Sequence, residues 1–189
     1  IAYCPERVLP GRILQELIIN DRVIGGLTHA ASEAGISFYS SFCKGEMLAT
    51  TARTAELVKL TENSFRDVNI AFANELSLIA DKADVDVWEL ISYANRHPRV
   101  NILQPGPGVG GHCIAVDPWF LVSFDKNSAQ LITTSREVND HKPNWVLQRI
   151  LDARQNVLSG AEHQNVDTVK IALYGVTFKP DIDDVRESP

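Results

Sequence analysis

The longest uninterrupted pattern in the chain runs from about Thr54 to Ala83, and it limits the architectures open to the rest. Leu57, Leu60, Ser64, Val68, Ala71, Leu76 and Ile79 recur at three-to-four spacing, which predicts an apolar stripe on one α-helix. A helix of about thirty residues is ~45 Å long. A rod of that length suits a connector between domains, or the core of a dimer, better than a surface helix. Lys59, Asn63 and Arg66 stand at i, i+4 and i+7 and form a second, polar stripe. Glu56, Glu62, Asp67 and Glu75 add charge, which reads as a solvated face.

The segments before the rod carry a different period. Arg22–Gly26 reads as a short strand, Thr28 as the cap of a helix over about 29–43 with Glu33 in its early turns, and Leu48–Thr51 as another strand. Strand, helix and strand within so short a span predict a β-α-β unit with a parallel pair. Residues 1–51 therefore read as the end of an α/β domain. Tyr3–Gly11, with two prolines and a glycine, is a fixed loop holding Glu6 and Arg7 in its middle. By itself the Glu6–Arg7 pair is as compatible with a solvated ion pair as with a function.

After the rod, Val85–Ile91 opens an amphipathic helix that ends near Arg96-His97-Pro98, because proline disfavours helix in the residue before it. Arg96, His97 and Arg99 form a cationic knot that fits either a helix C-terminus or an anion such as a diphosphate. Residues 127–158 have a helical pattern interrupted or kinked near Pro143, and 159–165 read as a polar linker. Val169–Gly175 is predicted as a buried strand reaching a glycine turn, the first of another α/β domain. Lys179 and Arg186 flank the acidic run from Asp181 to Asp184.

Chemistry concentrates in Pro105-Gly106-Pro107-Gly108-Val109-Gly110-Gly111-His112-Cys113, where glycines let backbone approach a ligand and a thiol stands at the exit. If one helical turn comes next, Asp117 shares a face with Cys113. Gly106, Gly108 and Gly111 satisfy a dinucleotide fingerprint literally. The context does not: no buried strand precedes them, Pro118 interrupts the segment after them, and two prolines remove N–H donors. A cysteine hydrolase built on Cys113 would need a histidine within reach, and adjacent His112 is poorly placed if the pair is extended.

The whole chain of 189 residues is 44% hydrophobic and 22% charged, an ordinary globular composition sufficient for a sizeable core. A net charge of −6 and a pI near 5.3 argue against nucleic acid and acidic membrane surfaces as partners. No apolar run is long enough for a membrane span. Cys4, Cys43 and Cys113 are odd in number and widely spaced, which fits a reducing compartment such as the cytoplasm, and no metal-ligand spacing occurs. Ile1 in first position, and an end just beyond a strand-like segment, lead to the expectation of a piece cut from a longer protein.

Four blocks together resemble the UDP-sugar 6-dehydrogenases: Tyr3–Gly11, Lys59–Asp67, His97 through Cys113 to Asp117, and Phe178-Lys179-Pro180 through Arg186 to Pro189. The resemblance implies an α/β architecture with a central all-α part: residues 1–52 as the end of an NAD-binding Rossmann domain, 53–160 as a helical dimerisation and catalytic domain, and 161–189 as the start of a UDP-sugar-binding domain. It implies NAD as cofactor, a UDP-sugar as substrate and a homodimer through the central helices.

The implied reaction oxidises a sugar CH₂OH to a carboxylate in two hydride transfers, with the aldehyde held covalently in between. By that resemblance Cys113 is the nucleophile, Lys59 stabilises oxyanions and exchanges protons, Asn63 positions the same oxygen, Asp117 assists, and Glu6 serves thioester hydrolysis. Arg7, Val8, Lys59, Asn63, Arg66, His97, Arg99, Gly110, Phe178 and Lys179 would hold substrate, and Arg186 with Lys179 would reach NAD. Where UDP-glucose members read Gly-Gly-Ser-Cys-Phe-Pro-Lys-Asp, this chain has Gly111-His112-Cys113 and Ile114-Ala115-Val116-Asp117, and Pro10 replaces a second glutamate. These departures favour UDP-N-acetyl-D-mannosamine, for surface polysaccharide of the enterobacterial common antigen type, over UDP-glucose or GDP-mannose. The isolated chain is expected to dimerise without turnover.

Overall fold

A computed structural model describes residues 1–8, 11–160, 168–178 and 183–189. They form two compact units, Ile1–Asn63 and Ser64–Pro189. The first contains β1 (Ala2–Tyr3), α1 (Ile13–Ile19), β2 (Arg22–Gly26), α2 (His29–Ser40), β3 (Met47–Thr51) and the opening turns of α3 (Ala52–Lys82). The sheet order is β1-β2-β3, with β2 parallel to β3 and antiparallel to β1. The expected β-α-β unit is present, and sequence periodicity misses two short pieces, β1 and α1.

Local chemistry explains the unit. Thr28 caps α2, its side chain accepting from the N–H of Ala31. Ser32, one turn into that helix, accepts from the N–H of Gly26 at 2.8 Å and donates to the carbonyl of Thr50 at 3.2 Å. One hydroxyl thus fastens the helix to both parallel strands. β2 is buried along its whole length, as a central strand with neighbours on both edges must be.

The second unit contains the rest of α3, then α4 (Val87–Ala94), α5 (Asp117–Phe124) and α6 (Gln130–Gly160). Asp86 caps α4 by accepting from the N–H groups of Trp88 and Glu89. Val87 and Ile91 then pack with Ala80 and Ile102 in a small apolar cluster. α6 runs on through Pro143 as one helix.

The inward side of α3 differs from the expected apolar stripe. Ser64, Asp67, Ala71, Asn74, Ser77 and Ala80 are buried, while Leu57, Phe65, Phe72 and Ile79 are exposed. Asp67, expected on a solvated face, is fully buried. Its Oδ1 accepts from Arg136 Nη1 at 2.7 Å and from Asn139 Nδ2 at 2.8 Å. Further along, Asn74 Nδ2 donates to Asn139 Oδ1 at 2.9 Å, and the Lys142 ammonium donates to Ser77 Oγ. α3 and α6 are therefore joined by a buried polar ladder. Burial pushes the Asp67 carboxyl above its ordinary range while the Arg136 guanidinium pulls it back. Losing one partner of such a pair costs about 3–5 kcal/mol, because the other charge is left unpaired.

Two further expectations need correction. Pro118 does not interrupt a helix; it occupies the first turn of α5 and is buried, where the missing N–H has no intrahelical partner to lose. Residues 168–178 form no strand and are largely exposed, since an extended segment becomes a strand only beside a partner edge. Residues 161–165 of the expected linker lie outside the described residues. Among the described residues no helix is long and apolar enough to cross a membrane.

Candidate active site

Expected site residues cluster within each unit. In the first, the loop after β1 turns Glu6 back on itself: its Oε1 accepts from the N–H groups of Arg7 at 2.7 Å and Val8 at 3.0 Å. Buried Arg22 stands 3.7 Å from the same oxygen. The carboxylate is thereby pinned by two backbone donors and faced by a guanidinium, yet stays more than half exposed. Lys59, on the first turns of α3, donates from Nζ to the Glu6 carbonyl at 2.8 Å. Arg7 pairs with Glu62 at 2.6 Å. An ammonium and a carboxylate are so presented by one loop and one helix. Asn63 stands four residues beyond Lys59 on the same helix and is half-buried. Pro10 lies outside the described residues.

In the second unit, Arg66 is exposed on α3, and His97 and Arg99 are exposed after α4, where His97 Nδ1 accepts from the N–H of Arg99 at 3.3 Å. The loop bearing Cys113 is irregular from residue 101 to 110. Its backbone is fixed from both ends. Asn74 Oδ1 accepts from the N–H of Gly106 at 2.9 Å, and the N–H of Gly111 donates to the Arg186 carbonyl at 3.2 Å. Gly111 has φ +80°, a conformation that side chains rarely adopt. A Cβ on Gly110 would come within 2.4 Å of Phe178 Cβ and 2.7 Å of the Glu187 carbonyl. These glycines are therefore required by packing on the chain's own C-terminal segment.

Cys113 is an exposed free thiol. The N–H of Asp117 donates to the Cys113 carbonyl at 2.8 Å, so one turn links the nucleophile candidate to the start of α5, in line with the four-residue spacing. His112 is not turned away: its Nδ1 stands 3.1 Å from Cys113 Sγ. The expectation of a poorly placed histidine assumes an extended pair, and the chain here enters bends and turns instead.

Arg186, beside Cys113, is closed by Asp184 through Nε at 2.9 Å and Nη2 at 2.7 Å. That fork holds the Asp184 carboxyl down at about 2 and pushes the guanidinium up. Phe178 lies against Gly111. Lys179 lies outside the described residues. The loop glycines offer no dinucleotide cradle, since the places where a Cβ would stand at Gly108 and Gly110 are met by Pro189, Pro143 and Phe178.

Sequence reasoning misses Asn74, Asn139 and Arg136. Their one visible signal is polar residues at helical spacing on segments that otherwise need an apolar side.

Residues 53–141 match the model of the UDP-glucose/GDP-mannose dehydrogenase family, central domain. That segment carries the family's central domain. Over all 189 residues it is 63% identical to the UDP-N-acetyl-D-mannosamine dehydrogenase of Yersinia pestis and 60% identical to an NDP-N-acetyl-D-galactosaminuronic acid dehydrogenase of Ralstonia nicotianae. It spans 45% and 43% of their lengths, less than half of each. The solved UDP-D-ManNAc dehydrogenase of Pyrococcus horikoshii superposes with a TM-score of 0.88 at 45% identity, over 99% of this chain and 44% of that one.

Proposed function

We propose that a full-length protein containing this chain oxidises UDP-N-acetyl-D-mannosamine to the corresponding uronate, for surface polysaccharide of the enterobacterial common antigen type. The observation that carries this reading is the correspondence of all 189 residues with a UDP-N-acetyl-D-mannosamine dehydrogenase at 63% identity. NAD is the hydride acceptor, taking up two electron pairs per sugar. Residues 1–52 then close the cofactor domain, 53–160 form the central domain and 161–189 open the nucleotide-sugar domain. Arg186 and Lys179 are the residues of this chain assigned toward the cofactor.

The side chains divide the work. Cys113 is exposed on a loop whose backbone is fixed at both ends, so its sulfur can meet a carbonyl carbon without prior rearrangement. Capture of the aldehyde as a hemithioacetal keeps it bound between the two oxidations. Lys59 supplies a fixed ammonium for the sugar oxygen as it gains negative charge, and Asn63 a neutral polar group on the same helix. Glu6 accepts a proton from the water that cleaves the thioester, its carboxylate already oriented by two backbone donors. Asp117 orients the start of α5 beside the thiol. Arg7, Val8, Arg66, His97, Arg99, Gly110 and Phe178 hold the nucleotide sugar, where guanidinium groups suit a diphosphate.

The central helices also pair two copies. Phe65, Phe72 and Ile79 are 70%, 54% and 56% exposed and stand seven residues apart on α3, an apolar seam of the kind a second helix covers. A histidine beside Cys113 meets one demand of a cysteine hydrolase, but the similarity to dehydrogenases along the whole chain favours oxidation.

The test is NADH absorbance with the full-length protein, comparing UDP-N-acetyl-D-mannosamine with UDP-glucose, GDP-mannose and the N-acetyl-galactosamine nucleotide. Turnover is expected with the mannosamine substrate. Cys113→Ser should lose acid formation while keeping nucleotide-sugar binding. Absence of NADH with every nucleotide sugar overturns the reading.

A further inference from the structure

His112 has no part in the chemistry above, yet its Nδ1 stands 3.1 Å from the reacting sulfur. Both residues are exposed, so neither the imidazole nor the thiol is shut away from a substrate or a proton. Three other charged groups belong to these surroundings. Arg186 lies close enough to interact with Cys113, Asp184 close enough to interact with His112, and Asp117 begins the next helix. Arg186 is a poor counter-ion for a thiolate, because its guanidinium is already closed on Asp184 by two hydrogen bonds. The arrangement leaves His112 as the group able to take a proton from the sulfur and then balance the charge.

We propose that His112 is a catalytic base of the thiol step, a role that rests on the dehydrogenase reading above. The Cys113 S–H bond breaks and its proton passes to His112 Nδ1. The sulfur lone pair then forms the S–C bond to the aldehyde carbon, and the C=O π pair moves to oxygen. That oxygen takes the proton back from the imidazolium, giving a neutral hemithioacetal and a neutral imidazole. No oxidant or further reactant enters this step, and the atoms balance.

The experiment is the rate of Cys113 alkylation by iodoacetamide across pH 5–10 in the full-length protein, read peptide by peptide by mass spectrometry so that Cys4 and Cys43 do not contribute. His112→Ala should slow alkylation about tenfold at pH 7, because the thiolate is the form that reacts. Added imidazole should restore part of the rate. His112→Gln, which keeps a polar side chain of similar reach without a titrating group, should behave like His112→Ala; recovery in the glutamine variant would make the role structural and overturn the proposal. An unchanged rate and profile in His112→Ala would overturn it too. Cys113→Ser that still forms acid would sink the dehydrogenase mechanism itself, and the base role with it. Loss of acid in Cys113→Ser with unchanged alkylation in His112→Ala removes the base role alone.

Discussion

Asn74 and Gly106 are tied by a hydrogen bond of 2.9 Å from the glycine N–H to the asparagine Oδ1, linking a fully buried position of α3 to the first glycine of the loop that carries Cys113. The nitrogen of the same amide donates to Asn139 on α6. One side chain therefore satisfies a loop donor and a helix acceptor at once.

Asn74→Ala should destabilise the fold by about 1–3 kcal/mol, the usual cost of leaving buried polar groups without partners. Urea unfolding of the variant checks it. A midpoint equal to the parent's would show that the relay does not hold the loop.

Lys142 gives a prediction in pH. Burial pushes its ammonium below the ordinary 10.5, with Asp81 opposing. A base with a depressed folded pKa binds fewer protons folded than unfolded, so stability rises as pH climbs from that depressed value toward about 10.5. Below the window the charged amine is a burden the fold carries. Lys142→Met should remove the rise, so that the difference in unfolding free energy between parent and variant changes between pH 7 and pH 10. A pH-independent difference would refute the direction.

The apolar seam on α3 is open to a direct test. Phe72→Glu places a charge at the middle of the three exposed positions and should move the chain from dimer to monomer in sedimentation equilibrium, with little change in helix content. A dimer that survives both Phe72→Glu and Phe65→Glu would put the pairing surface elsewhere.

Glu6→Gln keeps an oxygen able to accept from the N–H groups of Arg7 and Val8 but cannot accept a proton from water. In the full-length protein the thioester on Cys113 should then accumulate, visible as an added acyl mass on the Cys113 peptide after mixing with substrate and NAD. Free product formed at the parental rate, with no added mass, would take Glu6 out of hydrolysis.

The parts of the fold legible in the sequence are those with local causes. Thr28 caps α2 because a hydroxyl three residues from a free N–H can reach it, and the strands at Arg22–Gly26 and Met47–Thr51 declare themselves by composition and spacing. The loop glycines announce a close approach, though the neighbour that requires Gly110 is Phe178. The hidden parts depend on distant partners. Asp67 reads as solvated when judged by residue type alone, whereas Arg136 and Asn139, which make its burial tolerable, are many residues away. Residues 169–175 carry a strand's composition, but composition does not supply a neighbouring edge. An extended backbone would turn His112 from Cys113, and one left-handed glycine just before it changes where the next side chains point.

The packing of Gly108, Gly110 and Gly111 on Phe178, Glu187 and Pro189 sets an order on biosynthesis. A ribosome releases Cys113 well before it has polymerised the residues that shape the loop around it. Until then the glycine-rich loop lacks its contacts with Phe178, Glu187 and Pro189. The loop around Cys113 is thus among the last parts of this chain to take its shape, and nascent chains stalled before Phe178 would carry the cysteine without the packing seen here.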